Sequence, residues 1–188
     1  MSKQDILPYG KQWISEDDIQ AVVGVLKSSN LTQGPQIELF EEALKSITGA
    51  KYAVVVNSGT AALHIAYLAA GIGSSDEIIS SPITFVASTN AAFYVGAKPV
   101  FVDIQADTAL IDPNRILEKI NSKTRAIVPV HFAGQSADLA TIRKLANEAS
   151  QKYGRKVYVI DDACHALGGS FQGVKTGEGK FSDMTCLS

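Results

Sequence analysis

Two short stretches place reactive side chains where apolar runs end. In "VYVIDDACHALGG" (157–169) an apolar run closes on Asp161 and Asp162, and His165 follows three residues later. Successive strand residues face opposite ways, so the two carboxylates do not share a task. One carboxylate at a strand end can hold a cationic ring nitrogen, and a histidine one turn on can hydrogen-bond the same ring. Each residue also has a plainer reading: Asp162 as a helix cap, and His165 as a hydrogen-bonded structural histidine.

In "YAVVVNSGTAALH" (52–64) an apolar run turns at once into an Ala-rich helical pattern. The first backbone N–H groups of such a helix, at Gly59, Thr60 and Ala61, have no acceptor within the helix and make a ready anion site. Gly59 lets an anion come close, and Ser58 and Thr60 add hydroxyl donors. The stretch is not a Walker A loop, because no Gly-Lys-Ser/Thr follows, and the dinucleotide fingerprint G-x-G-x-x-G is absent. Taken alone it is equally a capped helix. Phe85, closing "SPITF" (81–85), is a flat aromatic that in isolation is more commonly core than cofactor platform. His131, opening "HFAGQ" (131–135), has no assignable role.

These residues need a frame that brings their loops together. Ser15 can cap a helix with Glu16, Asp17 and Asp18 in its first turn and Ile19, Val22, Val23 and Leu26 on one face. The loop "SSNLTQGP" (28–35) ends it. A second helix follows, with Ile37, Phe40 and Leu44 inward and Gly49 as its C-terminal cap. Beyond it, strands are expected at 52–56, 77–80, 99–102, 125–130 and 156–160. Helices are expected between them, at 60–70, 86–95, 113–121 and 138–153; Asp112-Pro113 gives the third a cap and a proline at its first position. Such alternation predicts an α/β fold, a mostly parallel sheet flanked by helices. Ligands of such sheets bind beyond the carboxyl ends of the strands. The loops after four of the strands should therefore converge on one edge.

Composition narrows the function classes. The chain has 188 residues, 46% hydrophobic and 19% charged, with a formal net charge of −2. No basic stripe points to nucleic acid, and no charge run points to a disordered tail. Two segments, 52–75 and 80–97, lack charge, but their polar residues fit a buried parallel sheet rather than a membrane span. The N-terminus lacks the apolar core of a signal peptide. Cys164 and Cys186 show no framework spacing, which fits a reducing compartment, so a cytoplasmic location is expected.

A phosphate cradle, a flat aromatic, a carboxylate and a hydrogen-bonding ring partner on one edge are the needs of pyridoxal 5′-phosphate. Asp162 would keep the pyridine nitrogen protonated, which makes the ring an electron sink. Here the sequence resembles a family, the sugar-nucleotide aminotransferases of the DegT/DnrJ/EryC1/StrS group, which have the type I aminotransferase fold. The stretches that carry the resemblance are "LTQGPQIELFEEAL", "AVVVNSGTAALHIA", "IISSPITFVASTNAAFYVGAKPVFVDI", "AIVPVHFAGQSADL", "VIDDACHALGG" and "FSDMTCLS", in order along nearly the whole chain. Within the family, "PYGKQ", "LTQG" and "CHALG" are most similar to enzymes that aminate C4 of a UDP-4-keto-6-deoxy-N-acetylhexosamine on the pseudaminic acid route.

The resemblance implies that Gly59, Thr60 and Ala61 cradle the cofactor phosphate and that Phe85 stacks on the ring. It implies that Asp162 pairs with the pyridine nitrogen, that His165 stands near the ring hydroxyl, and that Ser188 also touches the phosphate. Tyr9 and the Asn30-Leu31-Thr32 loop match positions lining the sugar-nucleotide site. Glutamate is the implied amino donor and a homodimer the implied assembly. In the family a "FSF-H-x-x-K" motif supplies the Schiff-base lysine, and the chain ends at Ser188, about where that motif begins. The expectation is therefore an N-terminal segment and large domain without the lysine, the small C-terminal domain or the asparagine donated across the dimer. Lys175 and Lys180 lie upstream in a Gly-rich loop and are not expected to substitute. Two alternatives accompany this reading: a sugar dehydratase of the same family, in which histidine replaces the lysine, and an inactive cofactor-binding fragment.

Overall fold

The structure, a computed structural model, describes residues 11–188. The chain divides into two units, 1–39 and 40–188.

The first unit contains helix α1 (Glu16–Leu26) and the beginning of α2 (Pro35–Thr48). The cap expected at Ser15 is present as a full capping box. Ser15 Oγ accepts from the Asp18 N–H at 3.3 Å, and the Asp18 carboxylate accepts from the Ser15 N–H at 2.8 Å. These bonds hold the Asp18 carboxyl below the usual carboxylate range. Ile19, Val22 and Leu26 form the expected apolar side of α1 and are exposed. Helix α2 ends as expected at Gly49, whose φ of 83° suits glycine and whose N–H reaches Lys45 O at 2.8 Å. Its inward face differs from expectation. Ile37 and Phe40 are exposed and Leu44 is half-buried; only Thr48 is buried. An apolar stripe is buried only where a second apolar surface meets it, and the described residues supply that only at the last turn, where Thr48 packs on Gly177.

In the second unit, strands β1 (Glu77–Ser80), β2 (Lys98–Phe101), β3 (Thr124–Ile127), β4 (Tyr158–Asp162) and β7 (Met184–Cys186) form one sheet in the order β2-β1-β3-β4-β7. Every neighbouring pair in it is parallel. A short antiparallel hairpin, β5 (Ser170–Phe171) and β6 (Val174–Lys175), lies between β4 and β7 in the chain. Its two-residue turn, Gln172-Gly173, has φ of 50° and 76°, as tight hairpin turns require.

Strand alternation splits the core into two faces. Ile78, Ala126, Val128 and Ile160 pack with residues of α3 (Gly59–Ala69) and α4 (Ala87–Tyr94). Ile79, Ile127, Val157 and Val159 pack with residues of α5 (Pro113–Lys119) and α6 (Leu139–Tyr153). Helices therefore cover both faces of a parallel sheet, the expected α/β layering. Because β1 is an interior strand, with β2 on one side and β3 on the other, chain order reverses between β1 and β3. Ligand crevices open at such switch points.

One expected strand is not formed. Residues 52–56 lie in no ladder among the described residues, and Val54 is 71% exposed. Of their amides, that of Val55 is bonded, to Glu41 Oε1 at 2.9 Å. The pattern of a strand is present, but a strand needs a neighbour to complete its hydrogen bonds. Between this segment and β7 lies a groove of about 1010 Å³. No helix among the described residues is long and apolar enough to cross a membrane.

Candidate cofactor site

The last residue of β4, Asp162, is the centre of the site. It is buried and faces the α3/α4 side with Ile160, while Asp161 faces the other side with Val159. Asp162 Oδ2 accepts from Ser88 Oγ at 2.5 Å, and Oδ1 from the Cys164 N–H at 3.3 Å. No helix begins at Asp162; turns follow it. The helix-cap reading is thereby removed, and the side chain is held by tertiary contacts instead.

Helix α3 brings the second element. Ser58 caps it, its Oγ accepting from the Ala61 N–H at 3.2 Å. Of the three donors expected to face an anion, the Ala61 N–H is thus already engaged. Gly59 and Thr60 remain in the first turn, where the helix offers them no acceptor. Gly59 is required by space: a Cβ there would lie 2.9 Å from Cys164 Sγ and 2.9 Å from Ser188 Cβ. The α3 N-terminus therefore touches both Ser188 and a residue two positions from Asp162. This close packing brings Gly59, Ser188 and Asp162 to one edge.

Phe85 stands in the loop between β1 and α4 and is 72% exposed. Its carbonyl accepts from the Ser88 N–H at 3.2 Å, which fixes it beside the residue that holds Asp162. The exposed ring therefore lies outside the core, against the plainer reading of Phe85 as a core residue. His165 is exposed on the turn after β4. The loop after β3 packs against that turn: a Cβ on Gly134, whose φ is 86°, would lie 3.1 Å from His165 O. The preceding Ala133 is also left-handed, with φ of 54°.

His131 belongs elsewhere. It is buried, and its Nδ1 accepts from the Ala137 N–H at 3.1 Å. The ring proton therefore sits on Nε2, 3.7 Å from Asp161 Oδ2. Thr185 Oγ1 donates to the same Asp161 oxygen at 3.2 Å. This pair ties β3, β4 and β7 together on the face away from Asp162. Lys175 and Lys180 are also remote: Lys175 Nζ donates to Ile47 O at 2.9 Å, and Lys180 lies over the Phe181 ring. Asn30, Leu31 and Thr32 are in the first unit, where the Ser28 and Ser29 hydroxyls bond Asn30 and Leu31 is exposed. Tyr9 lies outside the described residues.

Sequence reasoning missed Ser88, Tyr67 and Cys164. Tyr67, fully buried on α3, donates its hydroxyl to Ser88 O at 2.6 Å. Burial first, then the nearby Cys186 and Asp162, pushes its phenol far up, which keeps it a neutral donor. Cys164 is pushed up to about 12, by burial first and then by Asp162, so it is an inert thiol at neutral pH. The spacing of three between Phe85 and Ser88 is the single sequence signal that links either to the site. Among the described residues no cluster of His, Cys, Asp and Glu is arranged to hold a metal.

Comparison with known proteins follows from this geometry. A family model described as the DegT/DnrJ/EryC1/StrS aminotransferase family matches residues 12–188. The spore coat polysaccharide biosynthesis protein SpsC of Bacillus subtilis (strain 168) is 42% identical over 165 residues, 88% of this chain and 41% of its own length. Among solved structures, Spr1654 of Streptococcus pneumoniae, described as a candidate sugar aminotransferase, is similar in its PLP-form. The TM-score is 0.89 at 32% identity, covering 97% of this chain and 48% of that one. PseC of Helicobacter pylori, described as an aminotransferase involved in the biosynthesis of pseudoaminic acid, gives 0.86 at 36% identity, over 96% of this chain and 47% of that one. The chain thus spans less than half the length of these relatives.

Proposed function

Because the chain belongs to the DegT/DnrJ/EryC1/StrS aminotransferase family, we propose that it is the cofactor-binding part of a pyridoxal-phosphate-dependent sugar aminotransferase. The reaction is transfer of an amino group, from glutamate, to C4 of a UDP-4-keto-6-deoxy-N-acetylhexosamine. The likeness to PseC and the stretches "LTQG" and "CHALG" support that substrate class. One observation carries the reading: Gly59 packs against Ser188 and Cys164 within contact distance, which supports reading the α3 start and the Asp162 carboxylate as two ends of one site.

The residues present fit the cofactor. Gly59 lets the start of α3 pack against Ser188, so the free N–H groups of the first turn and the Ser188 hydroxyl are neighbours, and such donors suit a phosphate. Pyridoxal phosphate, when bound, supplies an electron sink for the amine carbon. The chain's own part is to bind and orient. Gly59 and Thr60 N–H groups and the Ser188 hydroxyl take the phosphate, and Ala61 shapes the cradle through its bond to Ser58. Phe85 offers its exposed face to the ring, Asp162 accepts the ring N–H, and His165 meets the ring hydroxyl. Tyr9, Asn30, Leu31 and Thr32 serve the sugar nucleotide. The assembly is a homodimer, supported by exposed Leu68, Phe93 and Tyr94, and light scattering of the intact protein checks it.

The test is calorimetric titration of the 188-residue chain with pyridoxal phosphate. Saturable binding at one site is expected. Asp162→Asn should weaken it about 10- to 100-fold, the range for losing a hydrogen bond to a charged group. Absence of saturable binding, or equal affinity in the variant, overturns the proposal.

A further inference from the structure

Ser88 is fully buried, and three oxygens surround its hydroxyl: Asp162 Oδ2 at 2.5 Å, Thr84 Oγ1 at 2.6 Å and Phe85 O at 3.2 Å. A serine hydroxyl has one proton to give and two lone pairs to accept with. A carboxylate is the strongest acceptor of the three, so the proton goes to Asp162, and Thr84 donates in turn to Ser88. The serine backbone is held on both sides. Its N–H donates to Phe85 O at 3.2 Å, and its carbonyl accepts the buried Tyr67 hydroxyl at 2.6 Å.

This arrangement commits one oxygen of Asp162 and leaves the other. Oδ2 is occupied by Ser88, whereas Oδ1 has the long 3.3 Å contact from the Cys164 N–H, with the weakly donating Cys164 thiol beside the carboxylate. A carboxylate oxygen has lone pairs for a second donor. We infer that Ser88 is a positioning residue: its hydroxyl orders the Asp162 carboxylate so that Oδ1 is left to accept the ring N–H of the cofactor. The inference rests on reading Asp162 as the ring-nitrogen partner. It also joins two parts of the site. Tyr67 is on α3, whose first turn holds the phosphate, so Tyr67, Ser88 and Asp162 link the phosphate end of the site to the ring-nitrogen end.

The experiment measures dissociation constants of the 188-residue chain for two probes. One is pyridoxal phosphate, and the other is its analogue with carbon in place of the ring nitrogen. The unsubstituted chain prefers the nitrogen-containing ring. Ser88→Ala reduces that preference about 10-fold, the scale of one lost hydrogen bond to a charged group, and leaves affinity for the carbon analogue within about twofold. Ser88→Thr, which keeps the hydroxyl, retains the preference. If the alanine variant does not fold, Ser88→Cys fills the same space with a weak donor and should lose preference in the same sense. An unchanged preference in the alanine or cysteine variant overturns the role of Ser88, as does equal weakening for both probes, which marks a packing residue. Absence of any preference in the unsubstituted chain overturns the reading of Asp162, and the inference with it.

Discussion

Asp161 and Asp162 are adjacent, yet they meet different surroundings because a strand turns successive side chains to opposite faces. Asp161 has His131 and Thr185 for company, and its Oδ1 and the His131 Nε2 have no hydrogen-bond partner among the described residues. Asp162 is held by hydroxyl and backbone donors beside an open edge. The same economy of space governs Gly59, where the constraint is the room for a Cβ. Gly59→Ala forces Cys164, Ser188 or the start of α3 to shift, since both contacts would be 2.9 Å. The expected cost is about 1–3 kcal/mol, read as a lower urea midpoint. Gly24→Ala is the contrast: nothing lies within 4 Å of its Cβ position, in the last turn of α1. That change should stabilise the helix by up to about 1 kcal/mol. Equal effects of the two changes would show that Gly59 is not held by its neighbours.

At the scale of elements, Asp183 fastens α6 to the sheet just before β7. Its Oδ2 accepts from Arg143 Nη2 at 2.8 Å and the Val159 N–H at 2.9 Å, and its Oδ1 from Lys156 Nζ at 2.7 Å. Burial by itself raises a carboxyl, but the Lys156, Val159 and Arg143 donors outweigh it and hold Asp183 below its ordinary value. A carboxyl lowered in the folded state adds stability that is complete above its unfolded-state value, about 4. That stability disappears as pH falls through the lower folded value. Asp183→Asn should therefore cost about 1.5–3 kcal/mol at pH 7, with the difference from the parent closing as the carboxyl is protonated in acid. Urea unfolding at several pH values checks this; a gap that widens in acid contradicts it. The segment 52–56 shows the opposite case, a strand pattern without a fastening.

For the whole molecule, the placement of Lys175 and Lys180 bears on whether the 188-residue chain alone transfers an amino group. Lys175 is turned to Ile47 O and Lys180 to Phe181, away from Asp162 and Gly59. Amino transfer needs a group that activates the carbonyl and carries a proton between donor carbon and cofactor. Among the described residues, those proposed for the site offer no such amine. The chain mixed with pyridoxal phosphate, glutamate and a UDP-4-keto-6-deoxy-N-acetylhexosamine should therefore form no 4-amino sugar. Steady product formation, followed by chromatography, would show that one of these lysines reaches the site.

The sequence by itself determined the layering and the elements from α3 to β4, but not the hairpin β5–β6 or strand β7. Hydrophobic period, the Ser15 and Asp112 caps, and the Gly49 stop are local signals, and local signals survive in sequence. The opposite tasks of Asp161 and Asp162 were also legible, because alternation is a property of the strand itself. Only the tertiary structure decided which partners those side chains acquire. Ser88 reaches Asp162 across 74 positions, and Tyr67 reaches Ser88 across 21. No local pattern encodes such contacts. Burial was misjudged for the same reason. The stripe of Ile37 and Phe40 and the run 52–56 have the right periodicity, but periodicity says which residues share a face, and only a packed neighbour determines whether that face is covered.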